Sequence, residues 1–140
     1  MEAKLRLTRD TLIFLLEKGL KVLLITKSSL VTRDIDIIRK GNCSVSITIT
    51  TTDNKTSSKL EPLASLPSAR VKAIKKLASA SIPCSVRIDP IIPGVNDVPE
   101  MLENLILKIA ESGAKQVICS TYKAKADSLK RVLRDFPDLC

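Results

Sequence analysis

Apolar positions along the chain alternate between helical and strand spacing. Leu12, Ile13, Leu15 and Leu16 form a stripe at helical spacing, with Thr8 placed to cap that helix and Gly19 to end it. Val22-Leu23-Leu24-Ile25 is an unbroken apolar run, the pattern of a parallel strand covered on both faces. A short helix is predicted over Asp34 to Lys40, closed by Gly41, and a β-branched strand over Ser44 to Thr52. Asp53 to Leu66 reads as a loop. Pro67 then starts a helix with Val71, Ile74, Leu77 and Ala78 on one face. Cys84 to Ile92 is the third strand, and Pro93-Gly94-Val95-Asn96-Asp97 turns into a helix carrying Leu102, Leu105, Ile106 and Ile109, stopped by Gly113. Val117 to Thr121 is the fourth strand. A last helix over Ala124 to Phe136 places Leu129, Val132, Leu133 and Phe136 on one side.

Repeated strand–helix units with short linkers imply parallel strands joined by right-handed crossovers. The expected fold class is α/β: four parallel strands with covering helices, a partial TIM-barrel-like (β/α) fragment. At 140 residues the chain fits a single domain over 1–140.

Two strands divide their side chains by chemistry. In Ser44 to Thr50, one face is Val45, Ile47 and Ile49, the other Ser44, Ser46, Thr48 and Thr50. In Ser85 to Asp89, one face is Val86 and Ile88, the other Ser85, Arg87 and Asp89. Successive strand side chains point to opposite faces, and charge on a buried face needs a partner or water. The pattern fits an apolar face under helices and a polar face lining a ligand cavity. Two other readings remain: an internal Arg87–Asp89 ion pair among mutually satisfied hydroxyls, and an antiparallel sheet with one solvated face. The predicted carboxyl ends of the strands are also polar, at Thr26-Lys27-Ser28, Thr50 to Asp53, the Asn96 loop and Ser120 to Lys123. Parallel α/β proteins bind ligands at that end.

Composition narrows the chemistry. There is no His, which removes imidazole catalysis and His metal sites. Lys and Arg number 23 against 15 Asp and Glu, a net charge of +8, which favours nucleic acid, phosphate or another anion as partner; the alternative is a solvated basic surface. Three aromatic residues leave little to stack single-stranded bases. No apolar run approaches the ~18 residues of a membrane span, and residues 1–7 lack the apolar core of a secretory signal. The expected location is cytoplasmic, without a membrane partner. The charge-rich composition is compatible with a thermophilic source.

Several strings, taken in order, resemble one family: Leu24-Ile25-Thr26-Lys27-Ser28, Arg33-Asp34-Ile35-Asp36, Ser46-Ile47-Thr48-Ile49-Thr50-Thr51, Leu60-Glu61-Pro62, Pro67-Ser68-Ala69-Arg70 and Asp89-Pro90-Ile91-Ile92-Pro93-Gly94-Val95-Asn96-Asp97. Over residues 8–120 the set is similar to the radical S-adenosylmethionine (SAM) proteins of the spore photolyase-like group, also called DNA repair photolyases. The resemblance implies a partial (β/α) barrel of which only the later units are present here. It implies a SAM pocket in which Lys27 approaches the ligand carboxylate and Thr48, or Thr50, the ribose. Glu61, Arg70, Asn96 and Pro93-Gly94 match recurrent family positions. The family's Cys-x-x-x-Cys-x-x-Cys loop has no counterpart. Cys43, Cys84, Cys119 and Cys140 are 41, 35 and 21 positions apart, and an iron–sulfur cluster needs converging thiolates.

The candidate cofactor-binding residues are Lys27, Ser28, Thr48, Thr50, Arg87, Asp89 and Asn96, with no catalytic or metal-binding set. The implied ligand is SAM or a related nucleotide, and no iron–sulfur cluster is expected in this chain. An open half-barrel exposes apolar strand edges, so a homo-oligomer is expected, or a partner chain carrying the N-terminal barrel half. Three function classes follow. One is a truncated or split radical SAM-like protein, inactive alone. A second is a non-catalytic nucleotide- or partner-binding homologue. The third is a basic nucleic-acid-binding domain.

Overall fold

The computed structural model describes residues 2–139; Cys140 lies outside the described residues. Strands β1 (Val22–Thr26), β2 (Cys43–Thr48), β3 (Cys84–Ile91) and β4 (Gln116–Thr121) form one sheet in the order β1-β2-β3-β4. Every neighbouring pair is parallel, which overturns the antiparallel alternative. The fold is α/β, four parallel strands with flanking helices, as the alternation of periods predicts.

The apolar face is covered by α2 (Leu7–Glu17), α5 (Pro67–Ser79) and α6 (Pro99–Glu111). Val45, Ile47, Val86 and Ile88 are buried against Ile74, Leu77, Leu105 and Ile109 in one core cluster. Full burial of each such side chain contributes about 1.5–3 kcal/mol. Pro occupies the first turn of both α5 and α6, where its missing N–H costs nothing. Gly113 ends the α6 turn at φ +91, and a Cβ there would stand 2.7 Å from the Ala78 Cβ of α5. A side chain at this position would therefore separate the two helices.

Several sequence expectations need correction. The first helix is two, α1 (Glu2–Leu5) and α2, broken at Arg6 in the left-handed region. Thr8 does not cap it; the Glu2 carboxylate accepts from the Thr8 N–H at 3.2 Å. The helix predicted over Asp34 to Lys40 is a 3₁₀ turn over Ser29–Asp34 followed by α3 (Ile35–Ile38). The Ser28 hydroxyl starts that turn by accepting from the Leu30 N–H at 3.1 Å. β2 ends at Thr48 rather than Thr52, because the Thr50 carbonyl accepts from the Asn96 side chain at 2.9 Å, not from a strand. The loop Asp53 to Leu66 contains α4 (Asn54–Leu60), capped by the Asp53 carboxylate accepting from Thr56 N–H at 2.6 Å. Its sequence, NKTSSKL, carries no apolar stripe to announce it. The last helix, α7, is Ala126–Asp135.

The edge strands also differ from expectation. β1 is not covered on both faces: Leu23 and Ile25 are 58% and 55% exposed. On β4, Val117 and Cys119 share the face of Val86 and Ile88 yet are exposed, and no α7 residue is buried. The chain leaves β4 and crosses the carboxyl ends of the strands instead of returning along β4.

Candidate functional site

The face opposite the helices carries Ser46, Thr48, Ser85, Arg87 and Asp89, joined by Ile118 and Ser120 of β4. Ser85 donates to the Ser46 hydroxyl at 2.9 Å. Arg87 pairs with Asp89, and Ser120 donates to the other Asp89 oxygen at 2.5 Å. The Ser120 hydroxyl and the Arg87 guanidinium hold the Asp89 carboxyl below the usual carboxylate range. The internal Arg87–Asp89 ion pair, the alternative to a ligand-lined strand face, is therefore present, and neither residue lines the cavity described next. Arg87 and Asp89 each keep about a quarter of their side chain exposed (28%), so the pair borders open space. Ser46 and Thr48 are buried.

At the carboxyl ends of the strands a cavity of about 280 Å³ is lined by Lys27, Thr50, Glu61, Pro90, Tyr122 and residues of α7. Thr50 is 3% exposed, and its hydroxyl has no hydrogen-bond partner among the described residues. A buried unpaired hydroxyl costs about 1–3 kcal/mol, so it marks a place where a polar ligand atom or water is accommodated. Asn96 sets the position of Thr50. Its amide donates to the Thr50 and Pro90 carbonyls at 2.9 and 3.1 Å, and its oxygen accepts from Ile92 N–H at 2.6 Å. All of these atoms are committed within the chain, so Asn96 acts as a clip between loops.

Lys27 and Glu61 meet at 2.7 Å across the mouth, the lysine half exposed and the carboxylate buried. Behind Glu61 stands Arg70, 1% exposed, at 2.6 Å from the second carboxylate oxygen. Arg70 also donates to the carbonyls of Ser65 and Thr48 at 2.6 and 2.7 Å and to the Ser57 hydroxyl at 3.1 Å. It ties β2, α4 and the start of α5 behind the site. Ser28 stands apart from the cavity that holds Thr50, beside Thr26 at the end of β1, and Ser28 N–H donates to the Thr26 hydroxyl at 3.0 Å.

The structure thus gathers Lys27 and Thr50 in one cavity with Glu61, places Arg87 and Asp89 on the adjoining strand face, and uses Asn96 and Arg70 as supports. Sequence reasoning missed the contribution of α7. Lys59 of α4 donates to the Asp135 carbonyl at 2.8 Å, and its ammonium lies 4.9 Å from the Phe136 ring centroid. Arg131, Arg134 and Phe136 therefore reach the cavity. The only local signal was the amphipathic pattern of 126–136, which says that a face is covered and not by what.

Among the described residues, no three His, Cys, Asp or Glu side chains are grouped to hold a metal ion. Cys43 and Cys84 are buried on the helix side, and burial pushes the Cys84 thiol up to about 11 and raises that of Cys43. The described residues offer no cradle for an iron–sulfur cluster.

No described helix is long and apolar enough to cross a membrane. No family model matches the chain. Residues of the chain are 34% identical over 107 positions to an uncharacterized protein of Acidianus two-tailed virus, covering 73% of this chain and 36% of that protein. The chain spans about a third of the length of the curated relatives it matches. Among solved structures, it superposes on a spore photoproduct lyase variant with bound S-adenosylmethionine and dinucleoside spore photoproduct at TM-score 0.73. That match has 15% identity and covers 98% of this chain and 42% of the lyase. Streptococcus suis SuiB bound to S-adenosylmethionine matches at TM-score 0.67 and 15% identity, over 94% of this chain and 32% of SuiB. The chain has the parallel strand–helix fold of the radical SAM partial barrel represented by these two proteins.

Proposed function

We propose that this chain is a radical SAM-like half without the cluster-binding motif. In this reading it binds S-adenosylmethionine or a related nucleoside at the mouth of the sheet and carries out no radical chemistry by itself. The observation that carries the reading is the buried Thr50 hydroxyl, without a partner among the described residues, beside a cavity at the carboxyl ends of parallel strands. Lys27 would neutralise the ligand carboxylate, with Glu61 and Arg70 fixing the lysine. Thr50, held by Asn96, would meet a ribose hydroxyl. Arg87 and Asp89, part-exposed on the adjoining strand face, would border the sugar and base, and Ser28 the rim beside β1, with Thr48 buried behind them. The match to solved structures that hold S-adenosylmethionine supports the ligand class.

Isothermal titration calorimetry with S-adenosylmethionine and with adenosine tests the reading. Binding is expected to weaken roughly threefold to tenfold in Thr50→Val and in Lys27→Ala, the scale of one lost hydrogen bond. Absence of heat with both nucleosides at millimolar concentration refutes it. The net charge of +8 supports nucleic acid as the second reading. Affinity for a DNA oligonucleotide that falls steeply with salt, without nucleoside binding, would put that reading in its place.

A further inference from the structure

α7 brings charge to the cavity as well as cover. Four cations, Lys27, Lys59, Arg131 and Arg134, line it against two carboxylates, Glu61 and Asp135, a surplus of two positive charges. Both carboxylates are already engaged. Glu61 meets Lys27 and Arg70 at 2.7 and 2.6 Å, and Asp135 meets Arg134 at 2.8 Å. Among the described residues Lys59 and Arg131 have no carboxylate partner of their own; the Lys59 ammonium donates to the Asp135 carbonyl. The Arg134 hydrogen bond, with the charges of Lys59 and Arg131 nearby, holds the Asp135 carboxyl below the usual carboxylate range. Three cations thus converge around one carboxylate on the α7 side of the cavity. Arg131 and Arg134, three positions apart, are neighbours on the helix surface. Tyr122 and Phe136, two of the three aromatic residues in the chain, line the same cavity and offer apolar faces to a base.

We infer that the ligand of this mouth is an anion, a nucleoside phosphate whose phosphate lies among Lys59, Arg131 and Arg134. The inference rests on the nucleoside reading of the mouth and narrows it. A phosphate monoester carries roughly 1.5 to 2 negative charges at neutral pH, which matches the surplus on the lining. S-adenosylmethionine has a sulfonium and an ammonium against a single carboxylate, so it is net positive and the same surplus disfavours it. The planar guanidinium fork fits phosphate oxygens, and hydrogen bonds between ions are the stronger kind. The cavity volume, about 280 Å³, lies near the lower end of the range for small-molecule sites, about 300–1,000 Å³. With α7 across the carboxyl ends of the strands, the site takes one nucleotide rather than a strand of nucleic acid.

Isothermal titration calorimetry of the full chain with adenosine, adenosine 5′-monophosphate and S-adenosylmethionine tests it. The monophosphate is expected to bind at least about tenfold tighter than adenosine, the scale of one charge-assisted hydrogen bond, and tighter than S-adenosylmethionine. The gain over adenosine should shrink as salt rises from about 0.1 M to about 1 M. It should disappear in the double variant Arg131→Ala, Arg134→Ala, while adenosine binds that variant as it binds the unaltered chain. Both arginines are exposed, so the variant is expected to keep its circular dichroism spectrum. Equal affinities for adenosine and its monophosphate overturn the inference and leave the nucleoside reading standing. A phosphate gain that survives in the double variant, or tighter binding of S-adenosylmethionine than of the monophosphate, overturns it as well. Absence of heat with all three overturns both.

Discussion

Replacing Arg70 with leucine removes the cation that holds the floor of the site. The guanidinium is 1% exposed and meets Glu61, Ser65, Thr48 and Ser57 at 2.6, 2.6, 2.7 and 3.1 Å. Leucine leaves the Glu61 carboxylate buried with Lys27 as its remaining partner and strips the donor from two carbonyls. Breaking a buried ion pair by deleting one partner costs about 3–5 kcal/mol. Lys27, 2.7 Å from Glu61, retains part of the compensation, which sets the expected loss near the lower bound, about 3 kcal/mol. Against a total stability of about 5–15 kcal/mol for a domain, that is a large fraction. Urea unfolding followed by circular dichroism at neutral pH measures it, with equal slopes for both proteins as the condition for comparison. The double variant Arg70→Leu, Glu61→Leu removes the stranded charge and is expected to be less destabilised than the sum of the single variants by at least about 1 kcal/mol. A loss below about 1 kcal/mol in Arg70→Leu, the scale of an exposed pair, or strict additivity in the double variant, refutes the reasoning.

The remaining predictions concern acid stability and thiol access. Arg9 hydrogen bonds draw the Asp36 carboxyl down to about 2. Burial opposes ionisation of Asp34, but hydrogen bonds from Arg33 and Arg9 outweigh it and hold its carboxyl below the usual range. A carboxyl whose folded value is depressed stabilises the fold above its unfolded value, near about 4 for Asp, and that stability is lost as pH falls through the folded value. The urea midpoint is therefore expected to decline as pH falls from about 4 toward about 2. In Arg9→Ala the dependence should be shallower, and an identical pH profile would contradict the assignment. In a Cys140→Ser chain, Ellman's reagent at neutral pH should modify Cys119 rapidly, and Cys43 and Cys84 only after unfolding, because both are buried and carry raised thiol values. Rapid reaction of all three thiols in the folded protein would refute the placement of Cys43 and Cys84.

How far the site could be read in advance depended on the range of the contacts that make it. Val45 and Ile47 against Ser46 and Thr48, and Val86 and Ile88 against Arg87, announced which side of each strand meets the helices, because a period of two is a local property. Lys27 and Thr50 stand at strand ends in both sequence and structure, for the same reason. α4 was missed because Asp53 caps a helix with no apolar stripe, stabilised by partners such as Arg70 that lie outside it.

The sequence by itself determined the alternation of helices and strands, the polar and apolar sides of β2 and β3, and the absence of imidazole chemistry, since each is a matter of composition or of neighbours along the chain. Tertiary structure decided the rest. Asn96 clips a carbonyl 46 residues away, and Lys59 holds the end of α7 across 76 residues. The strand order leaves Leu23 and Ile25 on an open edge. Such pairings follow from where separate elements settle against one core, and no local pattern of residues carries that information.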